Sequence, residues 1–335
     1  MSAPAISVVL PVRDAQDTVA EAIESLIAQT FDDHEILVVD DGSSDDTPSI
    51  VGDLGAREDR IRLVESPRPG IVPALNEGLR VARGSLIARH DADDVALPER
   101  FERQRDWLGE HPDVALVGCL VETFPRDGRE GMLRYESWIN GLVEHDDLAR
   151  EFFVESPVAH PSVLMRREAL EGVGGYRDHG WPEDYDLWLR LLAAGARFGK
   201  VPEVLLRWRD EPTRLSRTSE VYARDQFLRA KARYLGPVWL RERDRVLLWG
   251  AGPTGRRFAR FLREEGIEVA GFVDIDPRKV GRERQGVPVR APDSLDLASD
   301  PPLLIAVGAR DAREEIRAHL VPLGYVEGTH FLCVA

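Results

Sequence analysis

The sequence predicts an α/β protein built from two successive domains. Short apolar runs rich in β-branched residues alternate with amphipathic segments over the first 210 residues, as strands and helices do. The alternation starts again near residue 244, after a basic, helix-like stretch. A chain of 335 residues is long enough for two domains. We therefore predict one domain at 1–215, a helical linker at 216–243 and a smaller α/β domain at 244–335.

The first elements form a strand–helix–strand unit. The run Ser7–Val12 predicts a buried strand, and Thr18–Glu21 has the sequence of a capping box that opens a helix. A second apolar run, Glu35–Val39, predicts the next strand and ends in the acidic segment Asp40–Thr47. Open α/β sheets bind ligands at the carboxyl ends of their strands. The carboxylates of this segment are therefore candidate ligand contacts.

The tetrad Asp91-Ala92-Asp93-Asp94 is the most informative motif. It follows the strand-like run Ser85–Ala88 and precedes a helix opened by Pro98. Mg²⁺ takes one or two protein carboxylates and completes its shell with water and substrate phosphates, so this D-x-D is typical of a site for a metal–diphosphate. A solvated acidic loop is the alternative for such a motif on its own. Asp94 is expected to cap the following helix.

Four segments together resemble the family-2 glycosyltransferases. In chain order they are SVVLPVRD, EILVVDDGSSDDT, DADD and GGYRDHGWPEDYDLWLRL. The resemblance runs over about the first 210 residues and implies a GT-A-like domain with a mixed sheet. It also implies an inverting, metal-dependent transfer of a sugar from a nucleoside-diphosphate sugar, UDP being favoured. The implied acceptor is a hydroxyl of a glycan or of a lipid-linked molecule, as in polysaccharide biosynthesis.

The resemblance assigns donor and metal roles residue by residue. Asp41 is implied to reach the nucleotide base and Pro11 to pass under it; alternatively, Asp41 caps its own turn and Pro11 only ends a strand. Asp93 is implied to be the ligand of Mn²⁺ or Mg²⁺, with Asp91 facing the ribose or the same metal. Arg68 either approaches the diphosphate or is a solvated loop arginine.

Transfer requires a base, because a hydroxyl becomes a good nucleophile only as its proton is taken. The segment Trp181–Leu192 matches the family motif whose aspartate is that base, here Asp184. Leu187 and Leu191 at i,i+4 spacing predict a helix. Asp184 would lie near its N-terminus, where the helix dipole favours the ionised form. Alternatively, Glu183 and Asp184 only cap this helix.

Five residues are candidates for the acceptor or sugar pocket: His160, Trp181, Glu183, Trp208 and Arg209. Aromatic rings stack on sugar faces, and an arginine can close over a diphosphate; core packing and a structural histidine are the alternatives. Many relatives have a histidine after the arginine, whereas this chain has Asp210. That difference counts against a phosphate or metal contact from this loop.

A glycine-rich motif opens the second domain. The strand-like run Val246–Trp249 leads into Gly250-Ala251-Gly252-Pro253-Thr254-Gly255, and Asp274 follows the next strand about twenty residues on. Gly250, Gly252, Gly255 and Asp274 are therefore candidate nucleotide contacts in a Rossmann-like domain. The segment resembles the nucleotide-sugar-binding N-terminal domains of sugar acyltransferases.

Three interpretations of this second domain remain open. It binds a nucleotide or nucleotide-sugar, or it is a scaffold or dimerisation module, or it has a redox or epimerase activity with NAD. The last would make the protein an NAD-dependent nucleotide-sugar-modifying enzyme, although 244–335 is short for an NAD domain.

Composition narrows the partners and the compartment. The net charge of −15 argues against nucleic acid as a partner, because an acidic surface repels phosphodiesters. Cys119 and Cys333 lie in apolar runs, so we expect both to be buried, reduced side chains and not a disulfide or a metal site. No apolar run approaches about 20 residues, and the N-terminus does not resemble a signal peptide. We expect a cytoplasmic protein; peripheral membrane association and a homodimer remain open.

Overall fold

The computed structural model describes residues 3–127, 129–212, 214–309 and 311–335. These residues form two compact units. The N-terminal unit comprises the chain up to Ala149 together with Pro157–His179 and Asp186–Thr218. The C-terminal unit comprises Arg150–Ser156, Gly180–Tyr185 and Ser219–Ala335. The boundaries drawn from the sequence at 215/216 and 243/244 remain a prediction.

A mixed sheet of eight described strands forms the centre of the N-terminal unit. The strands are β1 (Ile6–Val12), β2 (His34–Asp40), β3 (Ile61–Glu65), β4 (Leu86–Arg89), β5 (Val95–Ala96), β6 (Val114–Phe124), β7 (Leu164–Arg166) and β8 (Arg197–Arg209). They lie in the order β3-β2-β1-β4-β7-β6-β8-β5. Pairs among β1 to β4 and the pair β6–β8 are parallel, whereas β7 and β5 run antiparallel to their neighbours. The predicted mixed α/β fold is confirmed.

Helices lie between these strands and after the last of them. They are α1 (Val19–Ile27), α2 (Thr47–Gly55), α3 (Ile71–Val81), α4 (Arg100–Glu110), α5 (Glu130–Asn140), α6 (His145–Glu151), α7 (Arg167–Gly172), α8 (Glu183–Ala193) and α9 (Leu215–Thr218). The central strands β1 and β2 are buried over almost their whole length. A strand that is covered on both faces has an almost continuous apolar sequence, and for this reason β1 and β2 could be predicted from the sequence.

The capping box predicted at Thr18 is wrong. Helix α1 begins where expected and buries Val19, Ile23 and Leu26, but the Thr18 side chain makes no capping hydrogen bond. The Glu21 carboxylate pairs instead with the guanidinium of Arg209, 188 residues further along the chain. Glu21 therefore forms an ion pair with a distant residue in place of the local hydrogen bond to the helix N-terminus that the motif suggests.

The C-terminal unit contains a second, smaller sheet of six described strands. They are β9 (Arg245–Trp249), β10 (Glu268–Val273), β11 (Glu283–Arg284), β12 (Val287–Arg290), β13 (Leu303–Ile305) and β14 (Phe331–Cys333), with helices α10 (Arg224–Leu235), α11 (Pro253–Glu264) and α12 (Ala312–Leu320). Their order is β11-β12-β10-β9-β13-β14, and every pair except β11–β12 is parallel. The chain winds outward from β9 to one side and then crosses to β13, so the predicted Rossmann-like architecture is confirmed.

Short 3₁₀ segments lie at His160–Ser162, Glu220–Tyr222, Pro292–Ser294 and Val321–Leu323, and a π-helical turn lies at Gly236–Leu240. Cys119 and Cys333 are both free and buried, as expected. Within the described ranges, no helix combines the length and apolar character needed to cross a membrane.

A fully buried arginine on α4 joins several parts of the N-terminal unit. The Arg100 guanidinium donates hydrogen bonds to Gln104 Oε1, His90 Nδ1 and the carbonyl oxygens of Arg89 and Val163, at 3.0 to 3.3 Å. Burial lowers its pKa. These bonds satisfy the buried cation and tie helix α4 to the end of β4 and to the residue before β7.

Replacing Arg100 with methionine should lower the free energy of unfolding by about 3 kcal/mol, because several buried acceptors lose their donor. Urea unfolding of the full chain measures this loss. Arg103→Met on the same helix is the matched control, since that side chain is 56% exposed and its ion pair with Glu203 contributes little. An equal, small effect of both variants would show that water replaces the bonds of Arg100.

Candidate functional site

Three carboxylates lie together in the loop that follows β4. One oxygen each from Asp91, Asp93 and Asp94 lies within 4.8 Å of the other two. Asp91 and Asp93 are partly exposed, whereas Asp94 is 1% exposed. The loop is at the carboxyl end of a parallel strand next to β1, the position at which such sheets bind ligands.

The electrostatics of this acidic group are unfavourable without a cation. Burial, with the neighbouring Asp91 carboxylate adding to it, raises the pKa of Asp93 to about 6. Burial also raises the pKa of Asp94 well above its ordinary value, and both neighbouring aspartates act in the same direction. Like charges in a poorly solvated place disfavour ionisation, and a bound divalent cation reverses that preference.

The oxygens present fit a hard divalent cation. Asp94 Oδ2 is buried and has no hydrogen-bond partner among the described residues, while Asp94 Oδ1 accepts the backbone N–H of Arg209 at 2.7 Å. Asp91 forms an ion pair with the buried guanidinium of Arg89, which compensates part of the negative charge. Carboxylate oxygens on the open side of a loop leave coordination positions for water and phosphate, as Mg²⁺ and similar ions require.

Neighbouring side chains hold the acidic loop in place. Arg209 Nε donates to the carbonyl oxygen of Asp93 at 2.7 Å. His90 is fully buried, and because Arg100 donates to its Nδ1, the Nε2–H donates to the Asp94 carbonyl at 3.2 Å. Burial and the Arg100 charge put the pKa of His90 well below its ordinary value, so the ring is neutral. Arg209 and His90 therefore position the backbone that presents the carboxylates.

The expectation that Asp94 caps the next helix is wrong. Helix α4 begins at Arg100, and Glu99 occupies the N-cap position without a side-chain hydrogen bond. Asp94 turns instead toward the other two aspartates, because the backbone N–H of Arg209 holds its carboxylate there. The sequence offered no sign of a partner 115 residues away.

The aspartates after β2 have different surroundings. Asp40 Oδ1 accepts the backbone N–H and the hydroxyl of Ser43, which is the turn-capping arrangement. Both carboxylate oxygens of Asp41 accept the backbone N–H of Gly70, at 2.8 and 3.0 Å. Asp41 therefore fixes the loop that carries the exposed Arg68. Pro11 is buried within β1, opposite Val39 of β2.

The predicted helix around Asp184 is present and begins at Glu183. Glu183 is 4% exposed and accepts a hydrogen bond from the Tyr222 hydroxyl at 2.7 Å. Asp184 is the more exposed of the two carboxylates, and its Oδ1 accepts the backbone N–H of Tyr185 at 2.7 Å. On the same helix, Arg190 forms an i,i+4 ion pair with the buried Asp186 at 2.7 Å.

Two pocket candidates have the contacts of structural residues. His160 is buried, its Nε2 is 2.8 Å from the Tyr176 hydroxyl, and its ring packs edge-on against Trp188. Burial puts its pKa well below the ordinary value. Trp208 belongs to the hydrophobic core and carries the guanidinium of Arg214 over its ring at 4.6 Å. Trp181 is partly exposed.

Asp210 forms ion pairs with arginines that the sequence analysis did not identify. Its buried carboxylate pairs with Arg129 and Arg217 at 2.7 Å each, and with Arg214 at 4.0 Å. The positive charge of Arg214 opposes the rise in pKa that burial and the neighbouring aspartates cause in Asp93 and Asp94, so this arginine acts on the acidic loop. The spacing Asp210, Arg214, Arg217 was the only local signal of this cluster.

The glycine-rich loop of the C-terminal unit joins β9 to α11, as predicted. Asp274, directly after β10, accepts the backbone N–H groups of Ala251 and Asp276 and the ammonium group of Lys279, each at 2.9 Å. These bonds lower its pKa despite burial. Asp274 therefore ties the glycine-rich loop to the loop after the next strand.

Comparisons with known proteins find a family model and several glycosyltransferase relatives. A family model described as glycosyl transferase family 2 matches residues 7–174, half of the chain. The amylovoran biosynthesis glycosyltransferase AmsE of Erwinia amylovora is 31% identical over 198 residues, which cover 59% of this chain and 72% of AmsE. The UDP-Gal:alpha-D-GlcNAc-diphosphoundecaprenol beta-1,3-galactosyltransferase of Escherichia coli is 28% identical over 238 residues, covering 68% and 84%.

A solved structure shows the same fold. The crystal structure of S. aureus TarS 1-349 in complex with UDP-GlcNAc matches with a TM-score of 0.54 at 17% sequence identity. The match covers 79% of this chain and 71% of that one.

Proposed function

This chain belongs to glycosyl transferase family 2 and is a glycosyltransferase; from this premise we propose that it is inverting and metal-dependent. The observation that carries the proposal is the group formed by Asp91, Asp93 and Asp94 at the end of β4. Its three carboxylates, its orphaned buried oxygen and its neighbouring arginines suit a cation that bridges to the phosphates of a sugar nucleotide.

The proposed donor is a UDP-sugar. Asp41 and Pro11 are the proposed contacts of the base, Asp91 faces the ribose or the cation, and Arg68 approaches the diphosphate. Two findings support the choice of nucleotide: the Escherichia coli relative is named for UDP-Gal, and TarS was crystallised with UDP-GlcNAc. The proposed acceptor is a hydroxyl of a glycan or lipid-linked molecule, because the relatives are named for amylovoran biosynthesis and for a diphosphoundecaprenol acceptor.

In the proposed mechanism, Asp184 takes the acceptor hydroxyl's proton as that oxygen attacks the anomeric carbon and the nucleoside diphosphate leaves from the opposite face. A divalent cation held by Asp93 and Asp91 would stabilise the charge that develops on the departing diphosphate. Arg214 adds a fixed positive charge to the same region, since it already acts on Asp93. Arg209 keeps the metal-binding loop in register through the Asp93 carbonyl.

The NAD-dependent alternative receives less support. An adenosine ribose would bind the acidic residue after the second strand through both its hydroxyls, but Asp274 already accepts hydrogen bonds from two backbone N–H groups and Lys279, three of the about four that a carboxylate can accept. The transferase is therefore the function we propose.

The proposal is tested by incubating the full chain with a panel of UDP-sugars, with Mn²⁺ or with EDTA, and measuring release of UDP. We expect at least one sugar nucleotide to be hydrolysed slowly in Mn²⁺ and not in EDTA, since water can replace the acceptor. Hydrolysis that persists undiminished in EDTA would refute metal dependence. Consumption of a sugar nucleotide only when NAD is added would instead favour the redox alternative.

Arg214→Gln should weaken UDP-sugar binding about tenfold or more, because the bound diphosphate would lose the attraction of a positive charge near the acidic loop. Asp210 keeps Arg129 and Arg217 as partners, so the variant should fold normally. Calorimetric titration in Mn²⁺ measures the affinity. Arg126→Gln serves as the control, since this arginine is half exposed and pairs with Glu136. Equal affinity in wild type and Arg214→Gln would remove Arg214 from the donor site.

A further inference from the structure

The C-terminal unit contains a cavity of about 820 Å³. It lies at the carboxyl ends of β9, β10 and β13, where Trp249, Ile275 and Val307 line it. The strand order reverses between β9 and β13, and open α/β sheets bind ligands in the crevice at that point. The volume falls within the roughly 300–1,000 Å³ of small-molecule sites. The family match ends at residue 174 and assigns nothing to this region.

The three glycines of the loop are present for different reasons. Gly250 has φ +114°, and a Cβ there would lie 2.9 Å from Val307. A Cβ on Gly255 would lie 1.9 Å from the Gly250 carbonyl oxygen, so the helix could not pack against the loop. Gly252 differs: its φ is −80°, and nothing lies within 4 Å of a Cβ built there. Neither backbone nor packing requires glycine at 252, which lines the cavity.

A ligand that approaches the backbone closely explains this glycine. Gly252 is the N-cap of α11, a helix of 12 residues, and Pro253 has no N–H to offer. The first free donors of the helix are therefore Thr254 and Gly255, both at the cavity wall. Backbone N–H groups and the helix dipole at such an end favour an anion, most often a phosphate.

Two side chains at the wall are placed to contact a polar ligand. Lys279 is the cation that lines the cavity in the described structure, beside four carboxylates that include Asp274 and Asp276, and its partly exposed ammonium group lies 2.9 Å from the first and 3.8 Å from the second. His319 Nε2 is buried and has no hydrogen-bond partner within the described residues, while its ring packs edge-on to Trp249. A buried polar atom without a partner is costly, and a polar group of a ligand in the cavity would satisfy it.

We propose that this cavity is a second ligand site, which binds a nucleoside mono- or diphosphate independently of the sugar donor. The phosphate lies against the backbone of Gly252 to Gly255, and the nucleoside extends along the apolar wall formed by Ile275, Pro292 and Ile316. Asp274 already accepts three hydrogen bonds, of about four that a carboxylate can accept, so it has no room for both hydroxyls of the adenosine ribose as a dinucleotide site requires. The proposed ligand is therefore a mononucleotide whose ribose does not contact Asp274.

The test is calorimetric titration of the full chain in EDTA with UMP, UDP, ADP, GDP and NAD⁺. Chelation removes the cation on which the proposed donor site depends, so binding here reports the C-terminal cavity. We expect one mononucleotide to bind at one site per chain. Gly252→Val should weaken it at least tenfold, because the new side chain occupies the phosphate position and suits the φ of that residue.

Three variants separate the outcomes. Gly236→Ala, at another glycine with open space around its Cβ, should bind as wild type does. Asp93→Ala should also retain nucleotide binding in EDTA. If this variant does not bind the nucleotide, the binding site is in the N-terminal unit and the proposal is overturned. His319→Leu should also lower the affinity for the mononucleotide, and it replaces Gly252→Val in the test if that variant proves unstable. Three other results would also overturn the proposal. They are no binding of any mononucleotide, binding of NAD⁺ alone, and equal binding by wild type, Gly252→Val and His319→Leu.

Discussion

Replacing Asp184 with asparagine should reduce sugar transfer by two orders of magnitude or more while donor affinity changes little. A general base contributes roughly 10²–10⁴-fold, and an amide cannot take the acceptor's proton. The amide oxygen can still accept the backbone N–H of Tyr185, so the start of helix α8 should be preserved. The proposed metal and nucleotide contacts are untouched by this change.

Turnover at saturating donor and acceptor, measured beside donor affinity by calorimetry, separates the roles. Glu183→Gln is the matched control, because the amide oxygen of glutamine can still accept the hydrogen bond that the Tyr222 hydroxyl donates. Transfer by this variant should stay near normal. Near-normal turnover of Asp184→Asn would disqualify Asp184 as the base and direct attention to Glu183 or His160. An equal loss of affinity and turnover would show that Asp184 only stabilises the helix.

The sequence predicted the elements whose pattern is local. Strands β1, β2 and β9 are buried on both faces, so each appears as an apolar run, and the helix starting at Glu183 follows from its i,i+4 leucines. The two-residue strands β5 and β11 are too short to carry a pattern. The grouping of Arg150–Ser156 and Gly180–Tyr185 with the C-terminal unit was equally invisible, because it depends on distant contacts.

The same distinction applies to the candidate site. Asp91 and Asp93 were identifiable because they share one loop, and the structure brings their carboxylates together. Asp94 was misjudged because its partner is the backbone of Arg209, and Glu21 because its partner is the side chain of that arginine. The role of Asp210 as a centre for three arginines required knowing that Arg129 lies next to it, 81 residues away in sequence.

Asp93→Ala should abolish the stabilisation that UDP confers in the presence of Mn²⁺. A ligand that binds only the native state stabilises it by mass action, about 2.7 kcal/mol at a concentration one hundred times its dissociation constant. Removing Asp93 takes away the proposed cation ligand and leaves Asp91 with its Arg89 partner. The fold should not suffer, because the change removes a partly buried carboxylate that its neighbours repel and breaks no side-chain hydrogen bond seen in the described structure.

Thermal unfolding with UDP alone, with Mn²⁺ alone and with both isolates the rise in melting temperature that requires both ligands. We expect this increment in wild type and not in Asp93→Ala. Asp106→Ala is the control and should show the increment, because its exposed carboxylate pairs only with the neighbouring Arg105 in the described structure. Without ligand, Asp93→Ala should melt at or above the wild-type temperature, since charge repulsion is relieved. A full increment in Asp93→Ala would place the cation elsewhere. Asp40 and Asp41 at the end of β2 would then be the carboxylates to test, because they also lie at the carboxyl edge of the parallel strands.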